Sequence, residues 1–144
     1  MTGARLAVLV RIALGAVFLY AGVIKAFDPQ GFAEDIANYQ LLPGTLVPLA
    51  AAALPFVEIA AAVALIVGRW SRGASLLVGG MMAVFTVALL QAFARGIDLN
   101  CGCFGDAAPA DWTTLVRDVV LLGAAAFVYR FDAGRFWPRR SLAS

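Results

Sequence analysis

Apolar residues fall in four long blocks, at 6–24, 46–67, 73–94 and 112–129, with short polar stretches between them. A bilayer core of roughly 30 Å is crossed by about 20 apolar residues in helical form, so each block predicts a membrane span. Lipid offers backbone groups no water, which forces the spans to be helices. Arg11 interrupts the first block, and no clear small-x-small cleavage site follows it; both features favour a span over a cleaved leader. After the first block, 32–42 carries Phe32, Ile36 and Tyr39 at helical spacing. That predicts a short amphipathic helix lying on the interface. Pro48 and Pro55 predict a bend in the second span, with backbone carbonyls freed near Glu58. The fold class is all-α, an integral membrane protein of four spans in one domain covering 1–144.

Composition agrees with this picture. The chain is 62% hydrophobic and 14% charged, with a mean hydropathy of +0.88. A net charge of +2 and scattered basic residues argue against nucleic acid as a partner. What matters is where the charges sit. Arg5, Arg69, Arg72, Arg130, Arg135, Arg139 and Arg140 flank one side of the spans. Lys25 and Arg95 flank the other, together with Asp28, Glu34, Asp35, Asp98, Asp106 and Asp111. The arginine-rich side is therefore expected in the cytoplasm, with both termini. The expected location is the cytoplasmic membrane, with the 95–111 loop on its periplasmic or extracellular side.

Some charges lie inside the spans, where each costs roughly 2.5–3.5 kcal/mol on insertion scales. They are expected to face the interior and find partners. Arg11, Gly15, Phe18, Gly22 and Lys25 form one stripe of a helix. Counted at about 1.5 Å per residue, Arg11 lies about 9 Å and Glu58 about 13 Å from the cytoplasmic side. The depth count predicts a buried Arg11–Glu58 pair. Lys25, Gln91, Arg117 and Asp118 all lie within about two turns of the outer boundary and predict a supporting polar cluster there.

The outer loop holds DLNCGCFGD, with both cysteines of the chain, Cys101 and Cys103, separated by Gly102. Outside the cytoplasm a disulfide persists, and bridging across one residue closes a strained, readily reduced ring. Stapling so short a loop removes little chain entropy, so exchange is the favoured reading. Metal capture is the alternative. The chain has no histidine, and zinc wants four ligands, whereas Cu(I) is satisfied by two thiolates. No metal site is assigned. A third reading is an assembly subunit with an incidental bridge.

RIALG (11–15), AGVIKAFDP (21–29), LLP (41–43), PFVE (55–58), CGCFG (101–105) and LVRD (115–118) occur in that order along nearly the whole chain. In these stretches it resembles the MauE/DoxX group of redox-associated membrane proteins. The resemblance implies a four-helix bundle that handles disulfides or electrons near its outer face, beside a thioredoxin-like partner. It leaves the substrate open. Under this reading Cys101 and Cys103 are the working pair of a thiol–disulfide oxidoreductase, and a membrane quinone is the natural electron acceptor or donor. A disulfide client and the lipid bilayer complete the expected partners.

Overall fold

The computed structural model describes residues 3–96 and 111–131. Among them every regular element is a helix: α1 Gly3–Phe27, α2 Pro29–Asn38, α3 Val47–Val67, α4 Ser71–Ala94 and α5 Trp112–Phe131. α1, α3, α4 and α5 are long and apolar enough to cross a membrane, and they match the four expected spans. The motif CGCFG lies outside the described residues.

The glycines of α1 set its packing on α3. A Cβ on Gly15 would stand 2.7 Å from Ile66 Cγ1 and 3.0 Å from the Ala62 carbonyl oxygen. One on Gly22 would stand 2.8 Å from Ile59 Cγ1 and 3.1 Å from the Pro55 carbonyl oxygen. Hydrogen in place of a side chain lets the two backbones close up, as small residues do between membrane helices. The later glycine meets the earlier part of α3, so the helices are antiparallel. The whole stripe expected from the sequence, Arg11, Gly15, Phe18, Gly22 and Lys25, is buried.

α4 and α5 form a second close pair, and α1 joins the two pairs by packing on α5. Leu14, Phe18, Leu65, Val78, Met82 and Val128 meet in the common core. α3 and α4 are consecutive but touch far less. Gly68 caps α3 in the left-handed region at φ 81°, its N–H donating to the Ala64 carbonyl at 2.9 Å. That is a common way to end a helix, and it turns the chain directly into α4. Large apolar side chains point outward, among them Leu49, Phe56, Val84 and Val120. In water such a surface would be a liability; against lipid tails it is the expected one.

α2 starts earlier than expected and stops sooner. Asp28 accepts from the Gly31 N–H at 3.0 Å, and Pro29 occupies the first turn, where its missing N–H costs nothing. Gln40, at φ +54°, ends the regular run, which leaves Leu41 and Leu42 outside the helix. Phe32 and Tyr39 are buried, so α2 packs down onto the bundle by the face its sequence predicts.

Asp111 opens α5 as an N-cap. Its Oδ1 accepts from the N–H groups of Thr113 at 3.0 Å and Thr114 at 3.2 Å, and from the Thr113 hydroxyl. Those bonds, the Thr113 hydroxyl first, lower the Asp111 pKa below its ordinary value. A depressed carboxylate stabilises the fold above its unfolded pKa and loses that effect as pH falls through the folded one. Asp111→Ala therefore lowers the melting temperature at neutral pH, and melts taken towards acid show the gap to wild type closing.

Candidate functional site: a buried charge cluster halfway along the bundle

Glu58 stands about 16 Å from the start of α3 and about 14 Å from its end, at 1.5 Å per residue. It is 1% exposed. Its partner is Lys25, whose Nζ lies 2.6 Å from Glu58 Oε1. The depth count from the sequence expects Arg11 there, and packing explains the difference. The α1–α3 register places Gly22 beside Pro55, Glu58 and Ile59, and Lys25 follows Gly22 by about one turn. Arg11 lies about 16 Å back along α1 from Gly22, on the far side of Gly15, which meets 62–66. Arg11 is buried too, but towards the other end of the bundle.

Lys25 is held by more than its counter-ion. Its ammonium sits 5.0 Å from the ring centroid of Phe32 on α2 and 5.4 Å from that of Phe85 on α4, within cation–π range. Asp118 on α5 is also buried, and its Oδ1 accepts from Arg117 Nη2 at 3.2 Å. Lys25, Glu58, Phe85 and Asp118 line one small cavity of about 10 Å³, room for about one water. Glu58 Oε2 is buried with no hydrogen-bond partner among the described residues. Four helices of the bundle thus contribute to one charged centre, under a short helix that supplies Phe32. Near it, Asp35 on α2 has its pKa raised by burial first, then by Glu34 and Asp28, with Lys25 opposing.

The polar residues expected together are divided between two places. Lys25 and Asp118 join Glu58 in the interior. Gln91 instead donates to the Tyr39 carbonyl at 2.9 Å, and Arg95 donates to the Gln40 side chain at 3.3 Å. These bonds tie the end of α2 to the end of α4. The rings of Phe93 and Trp112 meet at 5.9 Å, tilted by 42°, so the end of α4 and the start of α5 come together at that same end. Cys101 and Cys103 lie outside the described residues. Sequence reasoning placed Phe32 only on the apolar face of the short helix and missed Phe85 altogether, because an aromatic side chain carries no mark of the cation it will cover.

A family model described as "Methylamine utilisation protein MauE" matches residues 3–131, from the first residue of α1 to the last of α5. The chain belongs to the MauE family. The methylamine utilization protein MauE of Paracoccus denitrificans is 32% identical over 118 residues, covering 80% of this chain and 63% of that protein. Its counterpart in Methylophilus methylotrophus is 33% identical over 88 residues, covering 60% of this chain and 46% of that protein. The Paracoccus versutus MauE is 31% identical over 122 residues, covering 80% and 66%. The chain therefore spans about half to two thirds of the length of these relatives. No solved structure is a significant match. Family membership and four membrane-length apolar helices together make this a multi-pass membrane protein.

Proposed function

We propose that this MauE-family chain is a membrane-embedded thiol–disulfide exchanger. Cys101 and Cys103 are its working pair, and a thioredoxin-like protein or disulfide client on the outer face is its partner. The observation that carries the reading is the placement of both cysteines of the chain, one residue apart, in one polar segment between two spans. A thiolate attacks a disulfide through a mixed-disulfide intermediate, and a dithiol resolves that intermediate within one chain. The names of the relatives link them to methylamine utilisation, and we propose that this chain serves a system of the same kind.

The test is covalent trapping. Cys101→Ser and Cys103→Ser are each isolated from the native membrane without reductant and run on a non-reducing gel. At least one variant carries a reductant-sensitive adduct that mass spectrometry identifies as a thioredoxin-like protein or an exported client. Wild type resolves the adduct and shows little of it. If neither variant traps a partner and the wild-type pair binds Cu(I) tightly, the thiols serve metal handling instead.

A further inference from the structure

Four arginines lie at one end of the bundle. Arg5 is in the first turn of α1, Arg69 and Arg72 bracket the start of α4, and Arg130 is in the last turn of α5. All four are exposed, and among the described residues none of them pairs with a carboxylate. The sequence offers little to neutralise them, since this side of the spans carries seven arginines and one acid, Asp132.

Two of these arginines are held in place. Arg72 Nε donates to the Tyr129 carbonyl at 3.4 Å, and its guanidinium lies 5.5 Å from the Tyr129 ring centroid. These contacts tie the start of α4 to the end of α5 and leave both Nη groups of Arg72 without a partner among the described residues. The Arg69 guanidinium lies 5.5 Å from the ring centroid of Trp70. Trp70 is the N-cap of α4 but makes no side-chain bond to the first turn, and that turn holds no acid. Its N–H groups are therefore open, and a cation beside a helix N-terminus adds to the positive potential already there. A guanidinium fork and the N–H groups of a helix start both suit a phosphate.

The surroundings say which phosphate. Trp70 and Tyr129 are exposed, as aromatics at the head-group level of a membrane are. Leu76 and Gly80 follow Arg72 at i+4 and i+8 on one face of α4. Both line an almost wholly apolar groove of about 540 Å³ that runs between α3 and α4 from Leu76 to Ala88. At the helical rise that is about 18 Å, close to the roughly 15 Å of hydrocarbon in one leaflet. A free phosphate would use the arginines alone, whereas a lipid uses the arginines and the groove. We infer that an anionic phospholipid binds here, its phosphate against Arg72, Arg69 and the start of α4 and one acyl chain in the groove. A zwitterionic head would bring its own cation against the arginines; an anionic head supplies the charge that the described residues at this end lack.

The test is native mass spectrometry of the full chain in detergent, titrated with phosphatidylglycerol or phosphatidylcholine. Phosphatidylglycerol adds as one saturable equivalent and binds at least tenfold more tightly than phosphatidylcholine. Arg72→Gln weakens that binding about tenfold, roughly the worth of one charge-assisted hydrogen bond. Gly80→Leu fills the groove and weakens it as well; a Cβ there meets nothing within 4 Å, so the variant folds. Arg95→Gln, at the far end of α4, keeps wild-type affinity, and excess inorganic phosphate does not displace the lipid. Equal binding of the two lipids, unchanged affinity in Arg72→Gln or Gly80→Leu, equal loss in Arg95→Gln, or displacement by phosphate alone would overturn the lipid site.

Discussion

Lys25→Met lowers the stability of the bundle by about 3–5 kcal/mol, the usual cost of stripping one partner from a buried ion pair. Glu58 would then lie halfway along α3 with neither oxygen bonded to a described residue, since Oε2 already lacks a partner among the described residues and Oε1 depends on Lys25 at 2.6 Å. Asp118 lines the same cavity, but its own counter-ion is Arg117 at 3.2 Å, so Glu58 would be left beside a second carboxylate with no cation of its own. Replacing both members by apolar residues removes the uncompensated charge, and such exchanges are often neutral or even stabilising. Lys25→Met/Glu58→Leu therefore recovers most of the loss. Thermal melts in detergent of the two single variants and the double variant give the coupling directly. Losses that simply add would mean that the two side chains do not interact. The same cycle run with Arg11→Met and Glu58→Leu shows no such recovery, because Arg11 sits at the other end of the α1–α3 contact.

Gly22→Leu is the second large effect. Its Cβ alone would stand 2.8 Å from Ile59 Cγ1, 3.1 Å from the Pro55 carbonyl oxygen and 3.2 Å from Glu58 Cβ. Two of these neighbours are backbone or backbone-proximal, so α3 as a whole must retreat. Overpacking of this kind costs roughly 1–3 kcal/mol. Here it also draws Lys25 away from Glu58, so the loss belongs at or above the top of that range. Gly80→Leu, on the open side of α4, stays within about 0.5 kcal/mol of wild type, like other substitutions that disturb no packed contact. Melting the two variants side by side separates close packing from a general intolerance of leucine for glycine.

The four spans, their order and the interior stripe of α1 were all legible in the sequence. Each depends on a property carried by a short window of residues. Bilayer thickness sets how long an apolar block must be, and 3.6 residues per turn sets which positions share a face. The α2 helix was legible for the same reason, through Phe32 and Tyr39 at helical spacing, although its ends moved to where Asp28, Pro29 and Gln40 place them. The partner of Glu58 was not legible. Counting depth from span ends assumes that α1 and α3 begin in one plane, whereas Gly15 and Gly22 slide α1 until Lys25, and not Arg11, stands beside Glu58. Gln91 reads as one of the same polar group as Lys25, yet it faces the end of α2, because side-chain direction on α4 depends on how that helix is rotated against its neighbours. The groove and the placing of Phe85 also depend on α3 and α4 standing apart while α1 closes on α3 and α5 on α4. Such pairings are set by close approach between residues far apart in the chain, which no window of sequence contains.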